Sequence, residues 1–167
     1  MSAKHSYVAL MMNVISRGLV AASRSDEEIR REFSGFRPGY RFAMTVYPSG
    51  PGFVLRIADG GYVEPDAERS QAPDLVIRFK HIEHAFLVLS FQEGTARAFA
   101  NDRMVADGNV SDAIRLVRCL NRMEKLILPK LVATRAVKDY GKVPLVSKLL
   151  RGSRIYGRVA ASFVTGK

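Results

Sequence analysis

Few residues in this chain could bind a metal ion, and their spacing is poor. The histidines are His5, His81 and His84. His81 and His84 could face one way on a helix, with Glu83 nearby. Zinc or iron would need a third ligand at a defined spacing, and the sequence offers none that stands out. We therefore expect no metal site, and we interpret His81 and His84 as surface residues near a helix start.

The single cysteine, Cys119, is the candidate nucleophile. If it faces the neighbouring arginines, their charge lowers the pKa of the thiol and makes the thiolate available. If it faces away from them, it is a small apolar side chain at the edge of a helix core, which is the interpretation we favour. One cysteine can form neither an internal disulfide nor, by itself, a thiolate metal site.

The sequence also lacks the common motifs of catalysis. It contains no Gly-x-Ser-x-Gly run, which hydrolases with a nucleophile elbow require. It has no Walker loop and no Gly-x-Gly-x-x-Gly loop to bind phosphates. We therefore expect a protein that is not an enzyme, with no catalytic residues and no cofactor apart from a bound ligand.

Charge is distributed unevenly along the 167 residues. The net charge is +10, and residues 122–167 contain eleven lysines and arginines against two acids, Glu124 and Asp139. The rest of the chain is nearly balanced. A cationic segment predicts an anionic partner, either nucleic acid or a membrane surface. The apolar share of 47% supplies the core of one globular domain and excludes disorder throughout.

The N-terminal segment is apolar, but we expect it to be neither a membrane span nor a signal peptide. A spanning helix needs about 20 mostly apolar residues, and we find no such stretch without a charge or a proline. Arg17 falls where a signal peptide needs an uncharged approach to its cleavage site. We expect an amphipathic helix over residues 6–22 of a cytoplasmic protein.

The hydrophobic pattern alternates between helical and strand periods. Two helices are predicted first, over residues 6–22 and from a capping box at 25–28 to about 33. Strands are then predicted at 40–46, 53–57, 62–63, 75–79 and 103–106, with helices at 81–91 and 95–101. Asn109 caps a long helix that we expect to end at about Leu128, before Pro129. This order predicts an α+β domain in which helices cover one face of an antiparallel sheet.

The long helix has an apolar face and a basic face. Projected at about 100° per residue, Leu116, Leu120 and Met123 share one arc of the helix. A cationic stripe lies opposite and consists of Arg115, Arg118, Arg122 and Lys125. Glu124 projects into the apolar arc. It lies either where the helix end has reached solvent or at the mouth of a cavity.

The second half of the domain carries more apolar surface than its short elements need. The helix at 81–91 is apolar on all sides, so it must be covered on several sides or line an interior cavity. Ordinary core packing accounts for most of these residues, and the functional interpretation is a lipid cavity. The candidate lipid-binding residues are Phe79, Phe86, Leu89, Phe91, Phe99, Met104, Val105, Ile114, Leu120, Met123 and Glu124.

An ordered set of motifs resembles the sterol carrier protein type 2 domain over residues 40–128. The motifs are the strand Asp74-Leu75-Val76-Ile77-Arg78-Phe79, the apolar helix, Phe99, the run Met104-Val105-Ala106-Asp107-Gly108-Asn109, and Ala113 with Leu116. Asp102 stands where that family often has glycine, so the turn into the last strand could differ. The resemblance is to a bacterial stand-alone member, and accessory lipid-binding proteins of ubiquinone biosynthesis have a similar size and layout.

This resemblance implies a fold and a class of ligand. The fold is a mostly antiparallel five-stranded sheet with helices covering one face, which enclose an apolar tunnel. The ligand is a sterol-like molecule, fatty acyl chain, phospholipid or isoprenoid quinone that is bound without being transformed. The implied partners are this lipid and proteins of a lipid or quinone pathway.

We divide the chain into N-terminal helices at 1–35, a lipid-binding core at 36–128 and a basic C-terminal helical extension at 129–167. The extension could be a lid over the domain, or it could lie on an anionic membrane. For the membrane we expect contacts from Lys142, Lys148, Arg151, Arg154 and Arg158. We expect a cytoplasmic protein that associates peripherally with membranes.

The alternative function is nucleic-acid binding through the basic C-terminal segment and the cationic stripe. This alternative is the weaker one, because few aromatic residues are interleaved with the basic ones and the strands show no stacking platform.

Overall fold

The computed structural model describes residues 2–66 and 71–136, with side chains as far as Leu126. Its helices are α1 (Ala3–Ser25), α2 (Glu27–Ser34), α3 (Ile82–Leu89), α4 (Thr95–Ala100) and α5 (Val110–Ala136). Its strands are β1 (Arg41–Val46), β2 (Gly52–Ile57), β3 (Val63–Pro65), β4 (Leu75–Phe79) and β5 (Met104–Asp107). A short 3-10 turn, Asp59–Gly61, connects β2 to β3. The predicted order of helices and strands is confirmed.

Side-chain caps determine where the first two helices begin. The Ser2 hydroxyl accepts a hydrogen bond from the backbone N–H of His5 at 3.3 Å. Asp26 Oδ1 accepts one from the N–H of Ile29 at 2.9 Å. Each bond satisfies an amide group that has no partner inside the first helical turn. α2 therefore starts at the predicted capping box, whereas α1 extends beyond residues 6–22 at both ends.

The five strands form one mixed sheet in the order β3-β2-β1-β4-β5. β1 pairs antiparallel with β2 but parallel with β4, and β4 pairs antiparallel with β5. The prediction of a mostly antiparallel sheet is therefore wrong, because the central pair is parallel. Alternation of side chains shows which residues form a strand, but it does not show the direction of the neighbouring strand.

Polar contacts hold the connection between β3 and β4 at the start of β1. The Arg41 backbone N–H donates to Asp74 Oδ2 at 2.8 Å, and Arg41 Nε donates to Asp66 Oδ2 at 3.0 Å. The Asp66 side chain is 3% exposed and that of Arg41 is 13% exposed, so the ion pair is well shielded from water. Because the chain re-enters the sheet beside the start of β1, β4 runs in the same direction as β1.

The hydrophobic core lies between one face of this sheet and the helices. Buried residues of β1 and β4 pair in register as Phe42 with Leu75, Met44 with Ile77 and Val46 with Phe79. α1 packs on β2 and β3, and α5 lies against α1, α2 and β4. Helices therefore cover this face of the sheet, as predicted.

α1 is long and apolar enough to cross a membrane by length and composition, with a mean hydropathy of 1.2. The sequence reasoning did not anticipate this. In the structure Val8, Met12 and Leu19 are almost completely buried in the core. The Ser23 hydroxyl also accepts a hydrogen bond from the N–H of Val63 on β3 at 3.0 Å. These contacts make α1 a core helix of this domain.

α5 continues past its predicted end at Leu128. The cap is as predicted, since Asn109 Oδ1 accepts a hydrogen bond from the N–H of Ser111 at 2.8 Å. The backbone then stays helical through Pro129 to Ala136, so the predicted end is wrong. Proline removes one donor from the helix, but the leucines, lysine and alanines around it favour the helical state.

Gly60 and Gly61 form a matched pair for testing how the 3-10 turn packs. Both have a positive φ, 73° and 80°. A Cβ on Gly61 would lie 2.6 Å from the backbone N of Ser34 on α2, whereas one on Gly60 would meet nothing closer than 3.5 Å. Gly61→Ala would therefore add a clash with α2 to the strain of the positive φ.

We expect Gly60→Ala to lower the free energy of unfolding by about 1 kcal/mol, which is the cost of the positive φ alone. Gly61→Ala should lower it by at least about 1 kcal/mol more because of the added clash. Urea denaturation of both variants measures the difference. Equal losses would contradict the close approach of the turn to α2.

Candidate functional site

Seven of the predicted lipid-binding residues meet in the hydrophobic core. Phe79 and Met104 are a cross-strand pair of β4 and β5, and both are buried. Leu89 of α3 and Leu120 and Met123 of α5 are buried in the same cluster. Phe86 and Phe99 are half-buried and pack against it. The structure thus brings residues from five elements into one apolar cluster.

Three other predicted residues lie apart from this cluster. Val105 pairs with Arg78 on the face of the sheet opposite to Met104, because successive strand residues point to opposite faces. Phe91 is 41% exposed and Ile114 is 51% exposed. A role for these residues in lipid binding stays a prediction. The apolar tunnel also stays a prediction, because the structure does not establish it.

α1 covers one side of the apolar helix α3. The rings of Tyr7 and Phe86 meet edge to face with centroids 5.3 Å apart, and the Tyr7 hydroxyl donates to the Leu89 carbonyl at 3.2 Å. Lys4 Nζ lies 5.6 Å from the centre of the Phe86 ring. Sequence reasoning missed Tyr7 and Lys4, because only the folded chain shows which face of α1 meets α3.

Glu124 is half-buried on the flank of α5, next to the buried Met123. Burial raises the pKa of the Glu124 carboxyl above its ordinary value. No charged partner among the described residues offsets this effect. Of the two interpretations of Glu124, a fully solvated carboxylate at the helix end fits poorly. The other interpretation, a carboxylate at the mouth of a cavity, stays a prediction.

Cys119 is a buried apolar residue and not a reactive thiol. Its side chain lies in the core cluster and is almost completely inaccessible. Burial, assisted by the negative charge of Glu32, raises the pKa of the thiol to about 12. Arg118 and Arg115 lower the pKa, but by less. The interpretation that we favoured from the sequence is therefore confirmed.

The predicted cationic stripe is mostly an internal interface between α2 and α5. Arg122 Nε and Nη2 donate to the two carboxylate oxygens of Asp26 at 2.9 and 3.1 Å. Arg118 pairs with Glu32 at 3.0 Å, and Arg115 Nη1 donates to the Glu32 carbonyl at 3.2 Å. Three of the four stripe residues are thus paired with α2, which removes them as free phosphate ligands.

Sequence reasoning missed this interface although a signal was present. The signal is a row of acidic residues at the start of α2 and along it: Asp26, Glu28 and Glu32. Their arginine partners lie more than 80 residues away, in α5. A cleft of about 280 Å³ remains between the two helices, bordered by Glu28, Arg118 and Lys125 among others. Charges of both signs line it.

The histidines form no recognisable metal site. The rings of His81 and His84 lie 5.3 Å apart, edge to face. Within the residues that the structure describes, no group of three His, Cys, Asp or Glu side chains is placed to hold a metal ion. The predicted membrane-contact residues Lys142, Lys148, Arg151, Arg154 and Arg158 lie outside the described part of the chain.

The pair of Asp26 and Arg122 makes the stability of the domain depend on pH. Burial alone would raise the pKa of Asp26, but hydrogen bonds from Arg122 and Ile29 outweigh it and hold that pKa below the ordinary 3.8. A carboxyl with a depressed folded-state pKa stabilises the fold at pH values above its unfolded pKa. This contribution is lost as the pH falls below 3.8 and through the folded-state pKa.

We expect Asp26→Asn to lower the free energy of unfolding by about 1–3 kcal/mol at neutral pH, because asparagine keeps the helix cap but loses the charge pair. The difference from the wild type should shrink below pH 3.8. Glu28→Gln is the control, because Glu28 also pairs with Arg122 but is 61% exposed. It should change stability by about 0.5 kcal/mol or less. Similar losses for both variants in urea denaturation would contradict this assignment.

Comparison with solved structures shows similarity to sterol carrier protein domains. One is the sterol carrier protein domain 2 of Helicoverpa armigera, with 15% sequence identity and a TM-score of 0.42 over 71% of this chain and 85% of that one. A second is the UbiJ-SCP2 ubiquinone synthesis protein, with 10% identity and a TM-score of 0.45 over 72% of this chain and 95% of that one.

A third is sterol carrier protein 2 from Yarrowia lipolytica in its apo form, with 14% identity and a TM-score of 0.47 over 72% of this chain and 93% of that one. The sequence itself matches no protein-family model and no curated protein. These three solved structures carry the name of the family that the sequence motifs of this chain resemble.

Proposed function

We propose that this protein binds a hydrophobic lipid and carries or presents it without transforming it. The lipid is a phospholipid, a fatty acyl chain, a sterol-like molecule or an isoprenoid quinone. The observation that carries this proposal is the apolar cluster around α3 and α4, in which Phe86 and Phe99 stay half-buried although they pack directly on the core.

Aromatic rings that are packed on one side and open on the other offer a surface to an apolar ligand. Phe86 is held by α1 through Tyr7, so its position is set before any ligand arrives. Each methylene group that a ligand buries contributes roughly 0.8 kcal/mol. A chain of moderate length therefore binds well without a dense set of polar contacts.

Two groups on α5, the Cys119 thiol and the Glu124 carboxyl, suit binding better than catalysis. The Cys119 thiol is protonated at neutral pH because its pKa is about 12. Burial raises the pKa of the Glu124 carboxyl, which favours its protonated form, and that form can donate a hydrogen bond to a lipid headgroup or quinone oxygen. We assign Glu124 to orientation of the polar end of the ligand.

We place this activity at the cytoplasmic face of a membrane, with peripheral attachment through the basic C-terminal residues. The segment from residue 137 onward contains seven lysines and arginines against one acid, Asp139. Each basic residue near an anionic surface adds about 1 kcal/mol of attraction. Proteins of a lipid or quinone pathway would receive the ligand there.

Organic extraction of the purified full chain, followed by mass spectrometry, tests the proposal directly. We expect a co-purified lipid in stoichiometric or substoichiometric amount, and the same mass as an adduct in native mass spectrometry. A fluorescent long-chain fatty acid should bind to delipidated protein. A protein that carries no lipid and binds no such probe would contradict the proposal.

We expect Phe86→Ala to weaken binding of the fluorescent fatty acid by about tenfold. The substitution removes the exposed half of the Phe86 ring, which we assign to contact with the ligand. Phe53→Ala is the matched control. Phe53 is also half-buried against the core, but it lies on β2, which β1 separates from β4. A comparable loss of affinity in both variants would contradict the placement of the site.

A further inference from the structure

Phe91 occupies a position that normally belongs to glycine. It follows the last turn of α3 and has a φ of 61°, in the left-handed region. Its N–H donates to the Val88 carbonyl at 3.0 Å, and the N–H of Gln92 donates to the Leu87 carbonyl at 3.0 Å. These bonds define a Schellman turn, where glycine avoids the steric penalty that a Cβ meets.

Packing accounts for only part of the phenylalanine at this position. The ring is 41% exposed, so only part of its area contributes to the fold. The turn that ends α4 provides a comparison within the same chain. Asp102 has a φ of 56° there, but aspartate tolerates the left-handed region and its carboxylate pairs with Lys80. Phe91 has the same backbone strain without a comparable polar contact.

The corner between α3 and α4 carries no free negative charge among the described residues. Glu93 Oε2 lies 2.8 Å from Arg103 Nε, and the Glu93 side chain is only 8% exposed. Asn101 also donates to Glu93 at 2.6 Å. Arg97 is exposed on α4 and forms no ion pair with the side chains that the structure describes. An exposed aromatic residue follows α3, and an exposed cation lies on the next helix, α4.

This combination fits one kind of partner. An exposed aromatic ring buries well in the headgroup boundary of a bilayer, and a neighbouring arginine is attracted to anionic phosphates. The half-buried Phe86 and Phe99 lie on the same two helices. A lipid that moved between the apolar cluster and a bilayer could pass this corner without crossing the polar face of the sheet.

We propose that Phe91 is a membrane-insertion residue, and that the α3–α4 corner is where the domain meets an anionic bilayer. Arg97, exposed on α4, supplies the positive charge for the lipid phosphates. This inference rests on the proposed lipid-carrier function and adds a contact within the described domain. It is separate from the basic C-terminal segment.

A single tryptophan tests insertion, because the chain has none. The Phe91→Trp variant is mixed with vesicles of phosphatidylcholine and phosphatidylglycerol. We expect its emission to shift to shorter wavelength and brominated lipids to quench it. Tyr62→Trp is the control, since Tyr62 is also 41% exposed but precedes β3. An indole at position 91 that stays in water while the protein binds the vesicles would overturn the proposal.

Glycine substitutions separate membrane binding from folding. Phe91→Gly relieves the strained backbone and loses a half-exposed ring, so we expect the melting temperature to stay within about 3 °C of the wild type. Vesicle affinity should fall by about tenfold. Asp102→Gly makes the same backbone change at the end of α4 and, because it removes a negative charge and no aromatic ring, should not lower vesicle affinity. Equal vesicle affinity for Phe91→Gly and the wild type would overturn the assignment.

Extraction of lipid from the same preparations distinguishes the two proposals. If the wild-type protein carries lipid but the Phe91→Trp variant shows no insertion, the membrane contact is overturned and the carrier function stands. A protein that inserts at position 91 but never carries lipid overturns the carrier function. In that case the corner is a membrane anchor of a different kind.

Discussion

The parallel pairing of β1 with β4 is the constraint on which the second half of the domain depends. Arg41 holds this pairing with its backbone and its side chain, through Asp74 and the shielded Asp66. A buried charge pair is costly to break, because the remaining partner stays in a poorly solvated position. α3, α4 and β5 follow β4 directly, so these contacts also determine where the apolar cluster forms.

The second constraint is the attachment of α5 to α2. After β5 the chain returns across the core, and the Asp26–Arg122 pair fixes the position of α5 against the N-terminal helices. Tyr40 adds a contact at the first turn of α5, where its hydroxyl donates to Asp112 Oδ2 at 2.8 Å. Arginines that would otherwise be available to an external anion are thereby used inside the domain. Glu124 lies on a different side of α5, on the apolar arc opposite these arginines.

The sequence predicted local structure well, because periodicity and caps are local properties. Residue alternation located the strands, the capping box at 25–28 located the start of α2, and Asn109 is the cap of α5 as predicted. The direction of β4 was not predictable, since it depends on contacts that Arg41 makes with residues more than 20 positions away. The arginines of α5 were assigned to an external partner for the same reason. A helical projection shows which side chains share a face, but it does not show what lies opposite that face.

Two features of the candidate site lie beyond any pattern in the sequence. The half-burial of Phe86 follows from its contact with Tyr7, which depends on how α1 crosses α3. The strain at Phe91 follows from the end of α3, and an ordinary phenylalanine in an apolar run gives no sign of it. Natural proteins retain locally unfavourable residues where function requires them. A strained, half-exposed ring next to a half-packed aromatic cluster is therefore better explained by a ligand or a surface that meets it than by the stability of the fold.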